Sequence, residues 1–214
     1  WGERWSKLVI NSMRNGLSAA TGCEVWLKCE HVQPTGSFKV RGATNKIRQL
    51  DQPALRSGVL TASSGNHGMA VARAGALAGA QVTVCVSASA AKAKTDTIRA
   101  LGAELVVREG SPIEAELYAR RRAAEEGKVY ISPYNDLDVI AGQGTAGLEL
   151  LEQAPDLAAV FVAVGGGGLI AGIGTALKTL RPQTRIVGVW PENSRCMLRA
   201  IARNSGDSGE PSPR

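Results

Sequence analysis

Histidine is scarce in this chain, with two in 214 residues, His31 and His67, so a histidine-built metal site or a Ser-His-Asp triad has little material. The four cysteines, Cys23, Cys29, Cys85 and Cys196, show no C-x-x-C spacing. Cys29 and Cys85 fall inside apolar, strand-like runs, where a reduced thiol acts as a small hydrophobe. No disulfide, zinc or other metal is expected. Aromatic residues make up only 4%, too few to interleave with basic residues and stack on bases, which argues against a nucleic-acid partner. No run reaches the roughly 18 apolar residues of a membrane span, and the opening WGERWSK has charge without an apolar core or cleavage site. The expectation is a soluble, cytoplasmic protein with no membrane partner. Fixed-period repeats are missing too, and only the tail NSGDSGEPSPR has a disorder-prone composition.

What is present begins with 44% hydrophobic residues, enough to build one large or two small domains. The net charge of +6 comes from 25 Lys and Arg against 19 Asp and Glu. Its densest run, Arg120-Arg121-Arg122, lies beside Glu125 and Glu126 at helical spacing and reads as a solvated helix face. Short β-branched runs (EVWLKCE, GVLTAS, QVTVCV, ELVVRE, VYIS, AAVFVAV, TRIVGVW) alternate with helical segments. Such alternation predicts a parallel, doubly wound α/β architecture, with ligands at the carboxyl ends of the strands.

Three junctions carry unusual residues. In CEHVQPTGSFKVRGATNKI, Lys39 sits in the first turn of a predicted helix, where the unpaired N–H groups favour acids over cations. Pro34, Thr35, Gly36 and Ser37 supply the preceding turn and a choice of caps. A solvated lysine is the plain alternative. In TASSGNHGMA, Ser63, Ser64, Gly65 and Asn66 stand between a strand and a helix, where capping alone accounts for such residues. In AAVFVAVGGGGLIAGIG, four glycines, Gly165 to Gly168, open a helix. The backbone entropy lost at each favours a turn through which the main chain approaches an anion. Gly166, Gly168 and Ala171 also satisfy G-x-G-x-x-A, with Glu192 beyond the next strand, so a nucleotide-binding module is a second reading. That reading leaves Lys39 unexplained.

Taken together, QPTGSFKVRGA, SSGNHGMA and VGGGGLIAGI resemble the lysine, asparagine and phosphate-loop motifs of the fold type II pyridoxal-phosphate enzymes, in particular the threonine/serine dehydratase and serine racemase group (tryptophan synthase beta-like superfamily). The likeness spans roughly Thr21 to Asn204. It implies two doubly wound α/β domains with pyridoxal 5'-phosphate between them: a large one from 1–52 plus 133–214, incomplete here, and a small one from 57–131. It implies that Lys39 forms the Schiff base with the cofactor aldehyde, that Phe38 flanks the ring and Asn66 bonds its phenolic oxygen, and that the N–H groups of Gly165, Gly166, Gly167, Gly168 and Leu169 hold the phosphate. A lysine at a positive helix end would be pushed toward its neutral, nucleophilic form. The released amine would take the Cα proton, and loss of the β-hydroxyl from L-serine or L-threonine would end in a 2-oxo acid and ammonia. Ser64 stands where the racemases of this group carry a serine acting on the opposite face, so serine racemisation at the same site is the alternative.

The chain departs from the group in three places. It has Ser6-Lys7-Leu8 where relatives read Thr-Pro-Leu, and Trp190-Pro191 and Cys196 where cation-binding relatives carry Glu-Pro and Asp. It also stops at Arg214 before the family's further strands and the residue that meets the pyridine nitrogen. The resemblance therefore implies a fragment or truncated product, poorly soluble by itself and homo-oligomeric when full length, with an inactive fragment as the alternative.

Overall fold

The computed structural model describes residues 21–193. Two 3-10 turns, Glu30–Val32 and Pro34–Gly36, lead into α1 (Lys39–Gln49), α2 (Gln52–Ser57), β1 (Val59–Ala62), α3 (Asn66–Ala78) and β2 (Val82–Ser87). There follow α4 (Lys92–Ala100), β3 (Glu104–Arg108), α5 (Pro112–Glu125), β4 (Val129–Tyr130), α6 (Leu137–Gln153), β5 (Ala159–Ala163), α7 (Gly168–Leu180) and β6 (Arg185–Val189). The strands form two parallel sheets, one in the order β3-β2-β1-β4 and one pairing β5 with β6.

Every residue of β2 is buried, which places it inside its sheet rather than at an edge. Alternation along the strands divides the core between two faces. Val59, Val82, Val84 and Val86 pack with Val71 of α3 and Ile98 of α4, whereas Leu60 and Cys85 pack with Ala119 and Ala123 of α5. Helix α5 opens on a capping box between Ser111 and Glu114 with Pro112 in its first turn, and it buries Ala115, Ala119 and Ala123 four residues apart. Its outer face pairs Arg120, Arg121 and Arg122 with Glu116, Glu125 and Glu126, so the arginine run is a solvated face as expected.

One expected strand is not there. EVWLKCE carries no strand, and Cys29 ends that stretch only partly buried. Apolar content alone does not make a strand; its backbone needs a ladder partner, and no sheet among the described residues takes this segment. An ion network ties it down instead. Arg41 of α1 bonds Glu30 at 2.7 and 2.8 Å and Glu149 of α6 at 2.7 Å through both terminal nitrogens, and Lys28 reaches Glu149 at 2.5 Å. Burial alone lowers the Arg41 pKa, but the bonds to Glu30 and Glu149 outweigh it and the net direction is up. Removing one partner of so buried a cluster costs about 3–5 kcal/mol. The segment 194–214 lies outside the described residues.

Helices α1 and α6 bridge the two sheets. Val40, Ala43 and Ile47 of α1 join the core of the first, while Ala146 and Leu150 of α6 join Val160, Val162, Ile173 and Leu177 around the second. Glycines let the helices touch backbone to backbone. A Cβ on Gly42 would lie 2.6 Å from the Val139 carbonyl oxygen, one on Gly142 would lie 2.6 Å from the Gly42 Cα, and one on Gly172 of α7 would lie 2.6 Å from the Gly144 nitrogen. Gly42→Ala is therefore expected to destabilise the fold by about 1–3 kcal/mol through overpacking. Gly174→Ala, whose new methyl would meet only Ile186 at 3.7 Å, leaves stability unchanged or raises it by up to about 1 kcal/mol. Urea unfolding of the two variants checks the contrast, and equal effects would refute the close approach.

Candidate active site

Thr35 (φ 72°) and Gly36 (φ 72°) turn the chain sharply ahead of α1. The Ser37 hydroxyl then accepts a hydrogen bond from the Lys39 backbone N–H at 3.3 Å, a local turn bond; the N-cap itself is Phe38, without a side-chain bond, so the caps that the turn residues offered are not used as caps. Lys39 is the first residue of α1, and no acid shares its turn. Its side chain does not run out to solvent. The Nζ donates to the Pro133 carbonyl at 2.6 Å and lies 5.2 Å from the centre of the Phe38 ring. Its pKa falls to about 8, and the cause is desolvation by burial rather than the helix end inferred from sequence.

Gly65 is the N-cap of α3, with no side-chain bond to the helix, so the capping role open to Ser63, Ser64 and Asn66 is not how they are used. Ser63 bonds locally, accepting from the Gly65 N–H at 3.2 Å. Ser64 is half-buried and Asn66 is exposed. His67, the next residue, is buried; its Nε2 lies 3.2 Å from the Ile131 carbonyl, and its Nδ1 has no partner among the described residues.

The glycine run forms the β5–α7 turn. Gly165 and Gly166 are exposed, Gly167 is the N-cap at φ 87°, a conformation that favours glycine, and Gly168 is buried. Helix α7 begins its ladder at the Ala171 N–H, which bonds the Gly167 carbonyl. The N–H groups of Gly168, Leu169 and Ile170 thus have no partner within the helix and present partial positive charge.

What joins Lys39 to this turn is the connection between β4 and α6. Pro133 receives the lysine amine, and Tyr134 packs on the glycines: a Cβ on Gly166 would meet its ring at 2.5 Å, and one on Gly168 would meet its Cα at 3.0 Å. His67 brings the Asn66 turn to the same connection through Ile131. Sequence reading passed over Pro133 and Tyr134, and weighed His67 only as material for a metal site or a triad. The signal for the first two was the SPYN turn chemistry directly after a predicted strand. A groove of about 490 Å³ between α1 and α3, lined by Val40, Thr44, Ile47, Arg48, Arg73 and Leu77 among others, includes none of these residues. No cluster of three or more potential metal ligands occurs among the described residues, and no described helix is long and apolar enough to cross a membrane.

Comparison with known proteins gives the family of the chain. The family model described as "Pyridoxal-phosphate dependent enzyme" matches residues 13–213. An L-threonine ammonia-lyase of Thermotoga maritima is 42% identical over 198 residues, 92% of this chain and 49% of that protein. The structure of threonine deaminase isoform 2 from Solanum lycopersicum superposes with a TM-score of 0.85 at 39% identity, covering 88% of this chain and 55% of the other. Maize serine racemase superposes with a TM-score of 0.83 at 36% identity, over 92% and 60% of the two chains. The chain thus spans about half the length of the curated relatives it matches.

Burial of the Lys39 amine has a consequence for stability. A lysine whose pKa drops from 10.5 to about 8 on folding binds fewer protons folded than unfolded between those values, so its contribution to stability rises with pH across that window. Lys39→Met is expected to remove the rise and to stabilise the chain at neutral pH by up to about 3 kcal/mol. Urea unfolding of both proteins at pH 7 and pH 10 measures the difference. Equal pH slopes would contradict a desolvated amine.

Proposed function

Because this chain belongs to the family of pyridoxal-phosphate dependent enzymes, we propose that it carries the site of a threonine/serine ammonia-lyase, removing water from a β-hydroxy amino acid to give an enamine whose hydrolysis takes up that water and yields ammonia and a 2-oxo acid. The single observation that carries the reading is the Lys39 amine, desolvated and held on the Pro133 carbonyl next to a residue that packs on a glycine turn. The residues present fit the cofactor. An anionic phosphate suits the N–H groups at the start of α7, where only glycine leaves room for a close approach, and an aldehyde suits an amine that is partly neutral at physiological pH.

On this reading Gly165, Gly166, Gly167, Gly168 and Leu169 hold the phosphate, Phe38 flanks the ring, Asn66 bonds its phenolic oxygen and Lys39 joins the aldehyde. When bound, pyridoxal phosphate supplies an electron sink for the carbanion at Cα. The work of the chain is to place a base there. Burial leaves a substantial fraction of Lys39 unprotonated near pH 8, and that amine receives the Cα proton at Nζ. The exposure of Asn66 and the half-burial of Ser64 leave the turn of α3 accessible to substrate.

Racemisation is the second reading. It rests on Ser64, a hydroxyl that could exchange a proton on the opposite face, and on the likeness to maize serine racemase. The reading carries with it a large unit from 1–52 and 133–214, a small one from 57–131, a fold type II arrangement with the cofactor between them, a cytoplasmic location and a homo-oligomeric full-length enzyme.

Purified chain given pyridoxal phosphate should develop an absorbance band near the visible that borohydride fixes onto Lys39. Release of 2-oxo acid from L-threonine and L-serine, and of D-serine from L-serine, then separates lyase from racemase. A colourless protein that instead binds a nicotinamide nucleotide would sink the proposal. Gly167→Asp should lose cofactor affinity by at least tenfold, because a side chain is strained at φ 87° and a negative charge enters the anion site. Unchanged affinity would remove the glycine turn from the site.

A further inference from the structure

The segment that receives Lys39 is itself held from behind. Two buried donors converge on the Ile131 carbonyl: the Thr61 hydroxyl at 2.7 Å and the His67 Nε2 at 3.2 Å. Two residues later the Pro133 carbonyl accepts the Lys39 amine at 2.6 Å. The link between the two carbonyls is stiff. Pro133 has its φ locked by the ring, and Ser132, as the residue before proline, is confined to extended conformations. Ser132 is also buried, and its hydroxyl accepts from the Asn135 N–H at 3.1 Å. Turning the Ile131 carbonyl therefore turns the carbonyl that meets the lysine.

His67 is suited to hold such a position without taking part in proton transfer. A carbonyl can only accept, so Nε2 carries the hydrogen and Nδ1 is bare, buried and without a partner among the described residues. Charging the ring would put a second proton on Nδ1 with nothing to receive it, beside the charge of Lys39. Desolvation first, and the Lys39 charge second, lower its pKa to about 3. The ring is a neutral donor throughout the range in which Lys39 titrates. The nearby carboxylates are otherwise engaged, with Asp136 and Asp138 paired to Lys46, and Glu30 and Glu149 to Arg41.

We propose that His67 is a positioning residue for Lys39: with Thr61 it fixes the Ile131 carbonyl and, through the Ser132-Pro133 link, sets the carbonyl on which the Lys39 amine rests. The inference deepens the reading of Lys39 as the reactive amine and rests on it.

The test reads the amine directly in the full chain without added cofactor. Acetylation of Lys39 by limiting acetic anhydride, followed by peptide mass spectrometry across pH 6 to 11, yields its titration midpoint. In His67→Leu and in Thr61→Val the midpoint should fall by about half a unit or more below the parent value, as the amine stays buried while the carbonyl that favours its charged form turns away. His67→Gln, whose amide can donate to the same carbonyl, should recover more than half of that fall. Thermal melting accompanies each variant. If His67→Leu does not fold, Thr61→Val, which exchanges a hydroxyl for a methyl of similar size, decides alone. Midpoints unchanged from the parent chain overturn the proposal, as does outright unfolding of all three variants, which would make the role purely structural. Borohydride fixation of pyridoxal phosphate onto Lys39 in the parent chain separates the two levels: without fixation the functional reading falls, and with fixation but unmoved midpoints only the positioning role does.

Discussion

The close approach of three helices is the constraint on which the rest depends. Gly42 on α1, Gly142 and Gly144 on α6, and Gly172 on α7 remove the side chains that would hold the helices apart. With them gone, a helix rooted in the core of one sheet lies directly on the helix that serves the other. Dispersion and hydrophobic forces do not distinguish sharply between such an arrangement and a looser one. Steric exclusion does, because a single methyl at Gly42 or Gly142 would occupy space already filled by backbone. The separation of Lys39 from the glycine turn follows from this contact, since the lysine starts α1 and the turn starts α7.

Electrostatics then acts on a frame that packing has set. Arg41, Glu30, Glu149 and Lys28 tie the segment before α1 to α6 by charge-assisted bonds in a place largely withdrawn from water, where breaking a pair is costly. Asp136 and Asp138 bind Lys46 at the other end of the same helix pair. Among the described residues these pairs leave Lys39 as a cation without a carboxylate bond, resting on a carbonyl. A carbonyl is a weak counterpart for an ammonium, so burial prevails and the amine loses its proton more readily. The same withdrawal from water keeps His67 neutral. Two basic groups thus share a small volume with at most one charge between them.

Much of this arrangement was readable along the chain. The strand-helix alternation follows from local patterning, and a buried central strand such as VTVCVS announces itself by continuous apolar content. The Lys39 turn and the glycine run were visible because each breaks a local rule: a cation at a helix N-terminus, and four entropically costly residues in a row. The EVWLKCE segment misled because its composition suits a strand, while strand formation depends on a partner that sequence composition does not name. The serines of SSGNHG misled in the opposite sense. Their composition suits a cap, yet the cap fell to Gly65.

By itself the sequence determined the α/β class, the strand-helix order from β1 onward and the residue types at the junctions it singled out, because backbone sterics, hydrophobic period and helix-end electrostatics all act over a few residues. Only the tertiary structure decided what those ends meet. Lys39 and Pro133 are 94 residues apart in the chain, and Tyr134 reaches Gly166 across a shorter gap that still spans a whole helix and strand. No periodicity links such positions. Burial, which lowers the Lys39 pKa and keeps His67 neutral, is likewise a property of what packs around a side chain rather than of its neighbours in sequence. Desolvation arises only when distant segments close over the same volume, and the helix contact at the glycines is what closes them.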